Sequence, residues 1–102
     1  MSPTAQPVYE DLGAGRARLV LVAHLARQTG LCTITWFDRA DGVRVIDHTF
    51  VPFALNGQGL AGQLTQAALD QARADRMRVV AHCSYVAAWI KRHREYQDLL
   101  CD

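Results

Sequence analysis

The segment that most directly suggests chemistry is the glycine-rich run at residues 57–62, which reads Gly-Gln-Gly-Leu-Ala-Gly. Glycines have no Cβ, so their backbone N–H groups can approach an anion closely. The first amides of a following helix have no partner within the helix and point the same way, so such a loop can hold a diphosphate. The alternative is a connection without a ligand, because glycine-rich loops are common between strands and helices.

Two nucleotide-binding interpretations of this run can be weighed. It matches the G-x-G-x-x-G pattern of dinucleotide-binding folds, which also requires a following strand that ends in an acidic residue for the ribose. The next apolar run ends instead in Ala-His-Cys at residues 81–83, and too little chain follows for a doubly wound sheet. A nucleotide-binding P-loop fits worse, because no Gly-Lys-Ser/Thr follows the glycines.

Cys83 is the candidate nucleophile, since it lies between an apolar strand-like run at residues 78–82 and Ser84, which predicts a helix N-cap. A helix N-terminus favours the thiolate, and a thiolate can accept an acyl group from a thioester. The alternative is a half-buried cysteine that only packs. Cys32 is predicted to be core, and Cys101 lies near the C-terminus without a predicted role.

Two further groups could take part in chemistry. His48 is expected on the same strand face as Ile46 and Phe50, either as a packed histidine or as a general base for an incoming amine. His82 is expected to point away from Cys83 because neighbours on a strand face opposite sides. The basic run at residues 91–94 favours a solvated helix end, although Arg92 could instead contact a phosphate. No residues have the spacing of metal ligands.

These candidates must be positioned by strands and helices that the pattern of apolar residues predicts. Residues 1–15 are interpreted as a loose lead-in. A strand is predicted at 16–27, although its last residues could instead form a short helix. Strands at 31–37 and 43–51 are predicted to form a hairpin that Pro52 ends. A helix at 59–77, a strand at 78–82 and a helix from Ser84 follow. The predicted buried stripe of the second helix is Trp89, His93, Tyr96 and Leu100.

The order of these elements predicts an α/β fold: a mixed, mostly antiparallel sheet with two main helices and one parallel crossover. At 102 residues, half of them hydrophobic, the chain fits one domain, taken as residues 16–102. Eleven basic and ten acidic residues nearly cancel, which argues against nucleic acid or an anionic membrane as partner. Three cysteines without C-x-x-C spacing and no apolar run of spanning length indicate a cytoplasmic protein.

Four segments resemble a known family: residues 46–52 (IDHTFVP), 55–61 (LNGQGLA), 83–86 (CSYV) and 92–96 (RHREY). They are similar to the short, single-domain GNAT-like N-acetyltransferases of the YjdJ type, and the similarity covers residues 17–100. The acetyl-CoA loop of that superfamily is Gln/Arg-x-x-Gly-x-Gly/Ala, and Asn56, Gly59 and Ala61 occupy its defining positions. Gly59 and Ala61 match this pattern, whereas Asn56 stands where the pattern has Gln or Arg. Asn56 lacks the guanidinium that would make a charge-assisted phosphate contact.

The resemblance implies a minimal GNAT-like fold and an enzyme that transfers acetyl from acetyl-CoA to an amine of a small molecule or a protein. It implies Cys83 as the candidate catalytic residue, either acetylated itself or placed near the acetyl group, while His48 is the candidate base for the incoming amine. The expected cofactor contacts come from Val51, Asn56, Gly57, Gln58, Gly59, Leu60, Ala61 and Arg92. The competing hypothesis is a CoA-binding or interaction module without turnover, motivated by Asn56 and by the absence of segments that would enclose an acceptor.

Overall fold

A computed structural model of the chain describes residues 6–25 and 28–101, which form a five-stranded sheet and two α-helices. In chain order these are β1 (Val8–Gly13), β2 (Arg16–Leu25), β3 (Gln28–Asp38), β4 (Val43–Phe50), α1 (Leu60–Ala74), β5 (Arg78–Ala81) and α2 (Ser84–Lys91). Two short 3₁₀ helices lie at Phe53–Leu55 and Arg94–Leu99. The strands are ordered as in the sequence, with β1 to β4 antiparallel and β5 parallel to β4. The predicted α/β class and mostly antiparallel sheet are confirmed.

The interpretation of residues 1–15 as a loose lead-in is wrong for residues 8–13, which form β1 and pair with β2. Glu10 is the one half-buried residue of this strand, and its other five residues are exposed. A strand that is accessible on both sides has no alternation of apolar and polar residues, so its sequence carries no period-2 signal. Its place at the sheet edge depends on pairing with β2, for example Tyr9 with Leu19.

The core lies on one side of the sheet, where both α-helices pack. Side chains that are fully buried there include Leu21, Cys32, Ile34, Trp36 and Ile46 from the strands and Leu64, Leu69 and Ile90 from the helices. The other side of the sheet presents the alternate residues of the same strands and contributes nothing to this core cluster. We call it the open face, and it includes Val22, Leu31 and Phe50, all of them exposed.

The two helices are shorter than predicted. Gly59 caps α1 in the left-handed conformation, with φ 75°, so regular helix begins at Leu60 and then ends at Ala74. The second helix was expected to run on through Tyr96, but α2 ends at Lys91 and His93 takes a non-helical φ of −129°. The predicted stripe is still buried or half-buried, because the 3₁₀ helix continues along the same side of the core. Among the described residues, neither helix is long and apolar enough to cross a membrane.

A buried arginine ties the far end of the sheet to α1. Arg44 is 4% exposed and donates to both carboxylate oxygens of Asp38, at 2.7 and 2.9 Å. Its Nη1 lies 3.0 Å from Asp75 at the C-terminal end of α1, and its guanidinium lies 4.9 Å from the centre of the Trp36 ring. Two carboxylates and an aromatic ring therefore compensate a cation that burial alone would destabilise.

Candidate functional site

The site is built around an irregularity in β4. Thr35 pairs with His48, whereas the next residue of β3, Trp36, pairs with Ile46, so Asp47 is an extra residue on β4. This is a β-bulge, which bends a strand and re-aims its side chains. The parallel pairing of β4 with β5 stops at the same point, with Ile46 opposite Ala81. Beyond Ile46 and Ala81 the two segments are no longer paired, and a cleft lies between them.

The bulge places two successive side chains on the open face. The carboxylate of Asp47 accepts hydrogen bonds from Thr35 Oγ1 at 2.6 Å and from Arg16 Nη2 at 3.1 Å. His48 is exposed opposite Thr35, while Ile46 is fully buried in the core. The expectation that His48 shares a face with Ile46 is therefore wrong, because the extra residue shifts the alternation by one position.

Cys83 lies on the other side of this cleft, at the first turn of α2. The amides of His82 and Cys83 both donate to the Ile46 carbonyl, at 3.0 Å each, and this anchors the junction against the start of the bulge. Cys83 itself is the N-cap residue of α2. Its backbone is extended, and its side chain forms no cap hydrogen bond. Ser84, which was predicted to be the cap, is the first helical residue.

The environment of the Cys83 thiol favours its ionised form. Partial burial raises the pKa of the thiol, but the backbone N–H of Val86, the hydroxyl of Thr49 and the N–H of Tyr85 stabilise the thiolate, and together they lower the pKa below its ordinary value. Thr49 Oγ1 lies 3.6 Å from Sγ. Cys32 is the contrasting case, since it is fully buried in the core and burial raises the pKa of its thiol.

An open pocket of about 610 Å³ connects these groups on the open face. Its lining residues are Phe37, Val45, Asp47, His48, His82, Cys83 and Ser84. His82 was expected to point away from Cys83. It lines the same pocket because β5 ends at Ala81, so strand alternation does not extend to His82.

The glycine loop lies between β4 and α1 and is anchored by the core. Leu55 is buried at its start, and Leu55 and Pro52 pack on Gly30 of β3 so closely that a Cβ there would lie 2.9 Å from each of them. Gly57 and Gly59 have left-handed φ values of 84° and 75°, whereas the φ of Gln58 between them is not positive. Such an alternation turns successive N–H groups toward one concave side, an arrangement that binds anions.

The start of α1 adds to this anion-binding character. The first intrahelical acceptor is the Gly59 carbonyl, which receives the Gln63 amide at 3.0 Å, so the amides of the first turn have no partner within the helix. No acidic side chain lies in that turn. A Cβ at Gly57 or Gly59 would meet no protein atom within 4 Å, which means that the space beside both residues is open to a ligand.

The third glycine of the run has a different role. A Cβ on Gly62 would lie 3.3 Å from Trp89 Nε1 and 3.5 Å from the Tyr85 hydroxyl, so this glycine allows α1 to approach α2 closely. The start of α1 therefore packs against side chains from the first two turns of α2, near the carboxyl ends of β4 and β5. Open α/β sheets bind ligands at this location.

Three further residues were predicted as cofactor contacts: Val51, Asn56 and Arg92. Val51 directly follows β4 and is half-buried, while Asn56 is exposed and its amide donates to the Phe53 carbonyl at 3.1 Å. Arg92 is exposed at the C-terminal end of α2, the end opposite Cys83, and forms no ion pair within residues 6–25 and 28–101. Its predicted contact with a phosphate receives no support from this position.

Sequence reasoning missed two residues of the site, Asp47 and Thr49. Both lie within residues 46–52, but no role was predicted for either of them. Asp47 lines the pocket and Thr49 contacts Cys83 because of a strand register that depends on pairing with β3. The only local hint was a carboxylate next to His48. No group of three His, Cys, Asp or Glu side chains in the described part of the chain could hold a metal ion.

Comparisons with known proteins bear on this site. The sequence profile of the GCN5-related N-acetyl-transferase family matches residues 21–99. The NMR solution structure of a GCN5-like protein from Staphylococcus aureus, proposed to be an N-acetyltransferase, is similar with a TM-score of 0.65 and 23% identity over 98% of this chain and 91% of that one. A search of curated proteins found no match. The profile match spans most of the sheet, the glycine loop and Cys83, and the chain therefore belongs to the GCN5-related N-acetyltransferase family.

Proposed function

We propose that this protein is an acetyl-CoA-dependent N-acyltransferase that transfers acetyl to an amine through Cys83. One observation carries the proposal: an anion-binding loop and a low-pKa thiol lie at the adjoining starts of α1 and α2. A thioester linked to a diphosphate can use both features, because the loop would hold the donor and the thiol would face its reactive carbon. The family to which the chain belongs is one of N-acetyltransferases, which supports acetyl transfer to an amine.

The residues present fit the donor. The backbone amides of residues 57–61 would hold the diphosphate, and the backbone of β4 up to Val51 would align the pantetheine arm toward Cys83. The open space beside Gly57 and Gly59 would accommodate the phosphate oxygens. Asn56 would contribute a neutral hydrogen bond where the family usually has the longer Arg or Gln, so the donor is held mainly by backbone amides.

The thiol chemistry runs in two balanced steps. The Cys83 thiolate attacks the thioester carbonyl, a new C–S bond forms, and the old C–S bond breaks so that its electron pair leaves with CoA, which takes up a proton from solvent. The amine nitrogen then attacks the carbonyl of acetyl-Cys83 and forms a C–N bond, while the C–S bond breaks and its electron pair returns to Cys83. His48, which lines the same pocket, takes the proton that the amine loses.

Intact-mass spectrometry after incubation with acetyl-CoA tests the covalent route. We expect an acetyl adduct on the wild-type chain that is absent from Cys83→Ser and retained in Cys101→Ser, the matched control at a cysteine outside the pocket. An adduct that survives in Cys83→Ser would contradict the proposed role. If the wild type releases CoA with amines but shows no adduct, the acetyl group passes directly to the amine and Cys83 only lies beside it.

A second candidate is a module that binds CoA without turnover, and the exposed Asn56 in place of the family's Arg or Gln favours it. Acetyl-CoA would then raise the melting temperature, because it binds the native state, but no amine would accelerate CoA release. A melting temperature unchanged by saturating acetyl-CoA would contradict both candidates.

All three cysteines are free thiols, which fits a reducing compartment, and we propose the cytoplasm as the site of action.

A further inference from the structure

We propose that Asp47 is the cation-recognition residue of the acceptor site, so that the acceptor is an alkylammonium compound that carries no carboxylate. This inference rests on the proposed function, since it assigns the substrate class of the same pocket. It begins from the position of Asp47, whose carboxylate lines the pocket with Cys83 and His48 because the β4 bulge aims it there.

The Asp47 carboxylate is well placed to bind a cation. Its side chain is 16% exposed, so it is largely enclosed but reachable from the pocket. One oxygen accepts from Thr35 and the other from Arg16, which uses two of about four acceptor positions of a carboxylate. Partial burial raises the pKa of Asp47, but these hydrogen bonds outweigh it and hold the pKa below its usual value, so the group is an anion at neutral pH.

The rest of the pocket fits an alkyl chain that carries the cation. Phe37 and Val45 supply apolar surface between the strands, on which methylene groups can lie. The thiol of Cys83 lies in the same pocket, so an amine on a chain that extends from Asp47 over this surface has a route to the acyl group. A carboxylate on the same ligand would be repelled by Asp47 and is therefore selected against.

Arg16 is the natural competitor for Asp47. Its side chain is 46% exposed, and its guanidinium lies 5.6 Å from the centre of the Phe37 ring. An exposed ion pair is weak, so a ligand cation can share or replace it. Removing Arg16 should strengthen the recognition of a ligand cation, whereas removing the Asp47 charge should weaken it. If the pair served only the fold, both changes would act in the same direction.

NMR titration of the full chain tests this, with 1,5-diaminopentane as the cationic probe and 5-aminopentanoate as a probe of equal length with a carboxylate. We expect the diamine to shift the signals of Asp47, His48 and Cys83. Each charge contact at this partly exposed site should change the Kd by about five-fold. Asp47→Asn should therefore raise the diamine Kd, Arg16→Gln should lower it, and 5-aminopentanoate should bind more weakly than the diamine.

The matched control is Glu10→Gln, which removes another carboxylate paired with an arginine on the open face but outside the pocket. It should leave the diamine Kd unchanged. The inference is overturned if the diamine causes no shifts at the pocket, if the two probes bind equally, or if Asp47→Asn and Arg16→Gln change the Kd in the same direction. Acetyl-CoA binding to each variant is measured separately, so that failure of the donor site is distinguished from failure of the acceptor site.

Discussion

Replacing Gly59 by alanine tests whether the glycine loop binds the donor. Gly59 has φ 75°, and a left-handed conformation costs a residue with a Cβ about 1 to 2 kcal/mol. The new methyl group meets no protein atom within 4 Å, so backbone conformation alone sets the effect on stability. We expect the free energy of unfolding to fall by about 1 kcal/mol, which for a domain of this size lowers the melting temperature by about 4 to 8 °C.

The effect on acetyl-CoA binding should be larger than this loss of stability implies. The methyl group would occupy space that the diphosphate needs, and it would displace the phosphate from amides at the helix start. Losing about two such contacts costs about 2 kcal/mol, which corresponds to a rise in Kd of about thirty-fold.

Gly42→Ala is the matched control for this experiment. Gly42 also has a left-handed φ, 82°, and an open Cβ position, but it lies in the β3–β4 turn, at the opposite end of β4 from the loop. It should lose similar stability and keep the wild-type Kd. Isothermal titration calorimetry with acetyl-CoA measures both variants below their melting temperatures. Equal Kd values for Gly59→Ala and Gly42→Ala would refute the assignment of the loop as the diphosphate site.

Three other predictions follow from the described contacts. Asn56→Arg should lower the acetyl-CoA Kd by about five-fold or more through a charge-assisted phosphate contact, and weaker binding in titration calorimetry would show that this position does not face the donor. Alkylation of Cys83 by iodoacetamide, followed by peptide mass spectrometry, should reach half its maximal rate at a lower pH than alkylation of cysteine in a short unstructured peptide, because the lowered pKa keeps more thiolate present as pH falls. A midpoint at or above that of the peptide would contradict the thiolate assignment. Arg44→Met should lower the free energy of unfolding, measured in urea, by about 2 kcal/mol. This loss is smaller than for a fully enclosed ion pair, because both partner carboxylates are about one-third exposed and can hydrate. A variant as stable as the wild type would show that the buried ion pair contributes no net stability.

Several elements could be predicted because their signals are local. The β3–β4 hairpin follows from strand-forming residues on either side of an Asp-Gly turn, and Pro52 ends the pairing because it has no N–H to donate. The α1 helix follows from a 3.6-residue apolar pattern. The glycine loop could be identified without a structure, because an anion-binding turn requires particular residue types at consecutive positions.

Other features were inaccessible because they depend on contacts between residues far apart in sequence. β1 becomes a strand only by pairing with β2, and α2 gives way to a 3₁₀ helix although the apolar pattern continues. The role of Gly62 in helix packing appears only when Tyr85 and Trp89 lie beside it.

The amino-acid sequence by itself determined the class of the fold, the glycine loop before α1 and the thiol at a helix start, since short-range backbone chemistry specifies each of them. Only the tertiary structure decided what surrounds that thiol. The bulge at Asp47 results from the register between β3 and β4, and one extra residue there turns Asp47 and His48 onto the open face while Thr49 contacts Cys83. Register is a property of two paired strands, so it cannot be deduced from either strand alone.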